Sequence, residues 1–307
     1  MPFISYAQNR EDVLLHRALP HSDGFYIDVG AADPVELSVT KFFYDRGWSG
    51  INVEPQSHYF AALSADRPRD INLQLVLSDA PGDVTFYEAP THPGWAGADP
   101  GTVNRLQAEG ITVVPRVVKA ITLAEVCERH AGTRTIDFLK VDVEGHERAV
   151  LAGGDFRRFR PRVVVIEATE VGKPDLNFDR WEDVILAADY TFAAFDGLNR
   201  YYVRSEDASL IPALQVPANV HDEFQPYEWL RLLWDAEAKL KAATARADAA
   251  EAELAPLRTE VADLRRAVAK MEAALTDSVP RGAYEAAKRL LDQARTERRN
   301  TDGGAGS

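Results

Sequence analysis

Five short apolar runs recur along the first 170 residues, and most are followed by a stretch with helical periodicity. They are Gly24–Gly30 (GFYIDVG), Gly50–Glu54 (GINVE), Ile71–Leu77 (INLQLVL), Ile136–Val141 (IDFLKV) and Arg162–Ile166 (RVVVI). Helices are expected over 37–46, 58–66, 123–130, 144–151 and 180–188. Strands that alternate with helices must be joined by crossovers, which predicts an α/β fold with a parallel, doubly wound sheet. Residues 190–195 and 200–203 form one more pair of strands around the turn sequence Asp196-Gly-Leu-Asn199, predicting an antiparallel last strand. Val84–Tyr87 reads as an extra strand. The long segment from Pro90 to Pro115, which carries His92 and Trp95, breaks the pattern and reads as a functional loop.

Sheets of this kind bind ligands beyond the carboxyl ends of their strands. The residues there are Asp28 and Gly30, Glu54, Ser78 and Asp79, Asp142, and Glu167. A dinucleotide would want G-x-G-x-x-G with free backbone N–H groups facing a pyrophosphate. The first turn instead reads DVGAADP over 28–34, with one glycine and an acid where a phosphate would sit, and no P-loop motif is present. S-adenosylmethionine carries a ribose diol, an adenine, an ammonium and a sulfonium, but no phosphate. Glu54 can accept both ribose hydroxyls. Gly30, with Ala31 after it, lets the backbone approach the cofactor. Asp28 belongs to the same turn, and Asp79 beside Ser78 can bond the adenine amine.

Net charge narrows the partners. The chain carries −13, and all of it lies in residues 1–224, which hold 21 basic and 34 acidic side chains. This argues against nucleic acid as a main partner. One cysteine, Cys127, leaves no internal disulfide or cysteine-based metal site. Neither a membrane-spanning run nor a secretory pattern is present, so a cytoplasmic protein is expected.

Several blocks together resemble the FkbM-type methyltransferases: Tyr6–Asp12 (YAQNRED), Asp28–Pro34, Phe43–Pro55 (FYDRGWSGINVEP), Arg67–Asp70 (RPRD), Asp137–Glu147 (DFLKVDVEGHE) and Gly197–Arg200 (GLNR). The likeness runs from about residue 4 to 224. It implies a class I, Rossmann-like, S-adenosylmethionine-dependent fold and an O-methyltransferase acting on a hydroxyl of a sugar, a surface glycan or a natural product. In Lys140–Glu147 (KVDVEGHE), His146 is the expected general base, because imidazole titrates near neutral pH. Asp142, Glu144 or Glu147 would orient it or balance its charge. Mg²⁺ is permitted by the acids but not demanded, since their spacing matches no metal motif and no metal ligand is assigned. Asn9–Asp12 reads either as a helix N-terminus or as a lid over the cofactor.

From about Gln225 the composition shifts to Ala, Leu, Glu, Arg and Lys, with equal numbers of basic and acidic residues. Leu233, Leu240, Ala247, Leu254, Val261, Val268 and Leu275 recur every seven residues, with Ala236, Ala243, Ala250, Leu257, Leu264 and Met271 three further on. This a/d pattern predicts a coiled coil and a homo-oligomer, with a kink at Pro256. The expected domains are a methyltransferase domain over 1–224, a coiled-coil helix over 225–279, and a short helix with a disordered tail over 280–307. Two other readings compete. One is a nicotinamide-dependent oxidoreductase. The other is a catalytically silent scaffold that acts through its coil.

Overall fold

The computed structural model describes residues 3–278 and Arg289. The chain divides after Leu232 into two compact units. The first unit opens with β1 (Phe3–Ser5) and α1 (Glu11–Ala18), then alternates: β2 (Phe25–Val29), α2 (Lys41–Asp45), β3 (Ser49–Val53), α3 (Ser57–Asp66) and β4 (Ile71–Leu73). Next come β5 (Val76–Leu77), β6 (Gly82–Glu88), α4 (Pro100–Ala108) and β7 (Val114–Ile121). The alternation resumes with α5 (Leu123–Val126), β8 (Phe138–Val141), α6 (Glu147–Ala152), β9 (Val163–Glu167), α7 (Glu182–Leu186), β10 (Tyr190–Phe195), β11 (Asn199–Arg204), α8 (Ile211–Gln215) and β12 (Phe224–Pro226).

The main sheet has seven strands in the order β10-β11-β9-β8-β2-β3-β4. The five strands β9, β8, β2, β3 and β4 are parallel, and β11 runs antiparallel to both β9 and β10. Alternation along each strand divides the core. Ile27, Val29, Leu139, Val141, Val164 and Ile166 face one layer, with Val126, Leu151 and Trp181. Tyr26, Phe138, Val163 and Val165 face the other, with Leu15, Phe43 and Trp48. Both faces are covered, so the strands read as near-continuous apolar runs.

Several elements differ from expectation for local reasons. The helix expected from Leu37 begins only at Lys41. Asp33 Oδ1 accepts from the N–H groups of Val35 and Glu36, both at 2.8 Å, and Leu37 has φ 60°, so that segment is a turn. The run 71–77 is not one strand. β4 joins the main sheet, whereas β5 joins a separate three-stranded sheet, order β5-β7-β6. The segment 90–115 is not one loop, because it contains α4 and leads into β7. Helix α6 starts at Glu147, because Glu144 and Gly145 have φ 56° and 100°. Asn9–Asp12 forms the start of α1 and not a lid. Asp12 accepts from Ser5 Oγ (2.7 Å) and Tyr6 N (2.8 Å), while Glu11 accepts from Asn9 N (2.8 Å) and Asn199 Nδ2 (2.7 Å).

Helix α9 (Tyr227–Ser278) follows β12 directly and contains Pro256. Phe224–Pro226 pairs in parallel with β1 before the helix begins, close to residue 225, where the composition shifts. The expected short helix and tail over 280–307 lie outside the described residues, Arg289 apart. Among the described residues no helix is long and apolar enough to cross a membrane.

Candidate active site

A cavity of about 560 Å³ opens at the carboxyl ends of β2, β3, β8 and β9. That size lies within the range of small-molecule sites. Its floor is the first turn. The N–H groups of Gly30 and Ala31 both point at the carbonyl of Val53, at 3.0 and 3.2 Å. The N–H of Ala32 donates to Glu54 Oε2 at 2.9 Å. Three successive amides are therefore committed, and none is left to cradle a phosphate. Gly30 has φ +82°, and a Cβ there would lie 1.8 Å from the carbonyl oxygen of Asp142, so only glycine fits where the two strand ends meet.

Glu54 is 3% exposed, yet it is among the residues that line the cavity. Oε1 accepts from Gln56 N at 2.7 Å. Burial pushes its pKa up to about 7, against the pull of these two amides and of Lys140. Across the cavity stand Asp142, Glu144 and Glu167. One carboxylate oxygen from each lies within 4.8 Å of the others, so the set could hold a divalent cation. Glu144 and Glu167 are both held well above the usual carboxylate range, first by burial and next by the charge of Asp142. Glu144 Oε2 is buried without a hydrogen-bond partner. The cation beside them is Lys140, whose Nζ lies 3.2 Å from Asp142 Oδ2 and 3.6 Å from Asp28 Oδ1 and donates to the Gly30 carbonyl at 3.3 Å. These acids raise its pKa despite burial.

Six of the nine expected residues line the cavity: Gly30, Ala31, Glu54, Asp142, Glu144 and His146. Asp28, Ser78 and Asp79 are not among its lining residues. Asp28 stands behind the wall, 1% exposed, accepting from Thr40 Oγ1 at 3.1 Å and facing Lys140. Its side chain holds Thr40 and the lysine. Ser78 and Asp79 adjoin the cavity through His146, whose Nε2 lies 3.3 Å from Ser78 Oγ. The charges acting on the imidazole are those of Asp99 and Asp79, while burial dominates and lowers its pKa. The imidazole meets Ser78, and among the described residues no hydrogen bond joins it to the carboxylate of Asp142, Glu144 or Glu147. Glu147 is instead buried within the turn, accepting from Gly145 N (3.0 Å) and Val143 N (3.3 Å).

Sequence reasoning gives Lys140 no role and Glu167 only a place among the strand-end acids. A lysine inside an apolar strand was the available signal, since a buried ammonium needs acids around it. The remaining wall comes from the segment before α4. Trp95 is half-buried, stacks on His92 with ring centroids 4.4 Å apart, and closes on Gly172, where a Cβ would fall 2.7 Å from the indole. Gln56 Nε2 donates to the Pro93 carbonyl at 3.1 Å, tying this wall to β3.

The model of the methyltransferase FkbM domain matches residues 28–192, which is more than half of the chain. The chain belongs to this family of methyltransferases. No curated protein sequence matches it. Similar solved structures include a TehB-like SAM-dependent methyltransferase from Corynebacterium glutamicum, 9% identical, covering 64% of this chain and 88% of that one, with a TM-score of 0.36. Another is fibrillarin from Aeropyrum pernix with natively bound S-adenosyl-L-methionine, 12% identical, covering 63% and 76%, with a TM-score of 0.33.

Proposed function

We propose that this protein is an S-adenosylmethionine-dependent O-methyltransferase acting on a hydroxyl of a sugar, glycan or natural product, with its chemistry in residues 1–224. The observation that carries the reading is a single cavity lined by the buried acid Glu54 and by Asp142, Glu144 and Glu167. An acid-rich wall and a first turn without free amides suit a phosphate-free, cationic cofactor. They disfavour a nicotinamide dinucleotide. Glu54 would hold the ribose diol, and Gly30 and Ala31 would lie beneath it. When bound, the cofactor supplies an electrophilic methyl group.

His146 reaches Ser78, the residue next to the adenine-binding candidate Asp79, so we place the imidazole at the nucleobase end of the cavity. Deprotonation of the acceptor then falls to Glu144 and Glu167. Burial and the charge of Asp142 raise the pKa of both carboxyls, and a more basic carboxylate is the better proton acceptor. Asp142 and Lys140 set the charge of that pair. Trp95 offers an aromatic face for a sugar ring.

The test is mass-detected methyl transfer to a panel of glycan and polyol acceptors, with three variants. His146→Ala is expected to raise the cofactor Kd about tenfold and to change kcat little. Glu144→Gln and Glu167→Gln are expected to lower kcat by a factor of about 10²–10⁴ at unchanged cofactor Kd. The reverse pattern would return the base to His146. The spacing of the three carboxylates favours one second reading, in which Mg²⁺ between them lowers the pKa of the acceptor hydroxyl. Loss of turnover in EDTA, restored by Mg²⁺, would select that reading. Turnover unchanged by EDTA would eliminate it.

A further inference from the structure

The second compact unit presents an apolar stripe that nothing in its own chain covers among the described residues. Leu254, Leu257, Val261, Leu264, Val268 and Met271 are 45–66% exposed and fall alternately three and four residues apart on α9. Large apolar side chains in one continuous row are rare on a monomer surface. We propose that this row is the seam of a parallel, in-register coiled coil with a second copy of this chain.

Three features commit the occupant to a second copy in that orientation. Val261 and Val268 hold a positions, while Leu257 and Leu264 hold d positions, the choice that favours two parallel strands. Charges beside the seam also match across such a dimer. Arg246 meets Glu251 of the second copy, Glu253 meets Arg258, and Glu260 meets Arg265. An antiparallel pair would instead set glutamates 253 and 260 against each other and arginines 258 and 265 against each other. Within one chain these groups find lesser partners, as where Arg258 Nη1 reaches Glu251 Oε1 at 2.5 Å along one row of the helix. Pro256 falls at a c position, on the side away from the seam, so its missing N–H does not interrupt the contact. The association is independent of the methyl-transfer reading, and its test involves no turnover.

Light scattering on the full chain at micromolar concentration is expected to show twice the 34.0 kDa chain mass. Reversing the charges in E253R/E260R is expected to weaken the dimer about tenfold or more, as is R258E/R265E. Mixing the two variants is expected to restore a dimer containing one chain of each. Leu264→Cys should oxidise to a covalent dimer, because d positions face one another in this register, whereas Ala262→Cys on the outer face should not. The natural Cys127 is buried and adds no background. A wild-type mass other than two chains would overturn the proposal. So would a dimer that the charge reversals leave intact, or one in which Leu264→Cys fails to cross-link.

Discussion

Glu54 and Gly30 show how single residues define this cavity. Gly30 is fixed by space: any side chain would enter the carbonyl of Asp142, and φ +82° adds strain of its own. Gly30→Ala is therefore expected to destabilise the first unit by about 2 kcal/mol or more, read as a lower melting temperature. A variant as stable as wild type would show that the two strand ends do not meet as described. Glu54 is fixed by charge. Its pKa near 7 means that it gains a proton as the pH falls through neutrality, and a protonated carboxyl accepts from hydroxyls poorly. Cofactor affinity is thus expected to weaken below about pH 7 and to level off above it. Calorimetry showing no such slope would contradict Glu54 as the ribose partner.

The elements with clear periodicity were legible in the sequence, and those governed by particular side chains were not. The inner strands β2, β3, β8 and β9 could be read because each is buried on both faces and bounded by polar residues. β7 (VPRVVKAI) could not, because most of it is exposed, it carries Pro115, and it pairs only with β5 and β6. The shortened α2 and α6 were hidden for a different reason. Asp33 and the left-handed Glu144 redirect the backbone where propensity alone would continue a helix. At the site, strand-end acids were legible from topology. The bond from His146 to Ser78 was not, since it joins residues 68 apart on different crossovers. The segment between β6 and α4 carries a prediction of its own. Removing the indole in Trp95→Ala is expected to raise the acceptor KM about tenfold and to leave the cofactor Kd within about threefold. Equal losses in both would make Trp95 a general support of the wall.

Across the whole molecule, buried carboxyls shape the pH response. Glu11 and Glu147 are pushed up to about 7, and Asp12 to about 6, chiefly by burial. Unfolded, they titrate near 4. The fold therefore favours their protonated forms, a contribution that is complete below about pH 4 and lost as the pH rises through 6 to 7. Glu206, lowered to about 2 by Arg160, acts in the opposite sense, and its small exposed contribution is lost in acid. The melting temperature of the free protein is expected to peak near pH 5–6 and to fall toward pH 8; a rise over that interval would contradict the buried placement of these acids. The net charge of −13 resides in residues 1–224, where acids surround a cavity suited to a cationic ligand, whereas the charges of α9 alternate in sign. The central claim concerns that cavity. Its most direct test is titration calorimetry of S-adenosylmethionine and S-adenosylhomocysteine against wild-type protein and Glu54→Gln, with NADH as the comparison ligand. The account predicts one site per chain for both sulfur ligands, an affinity at least about tenfold weaker in Glu54→Gln, and no binding of NADH. Tight binding of NADH, or affinity for the sulfur ligands unchanged by Glu54→Gln, would contradict it.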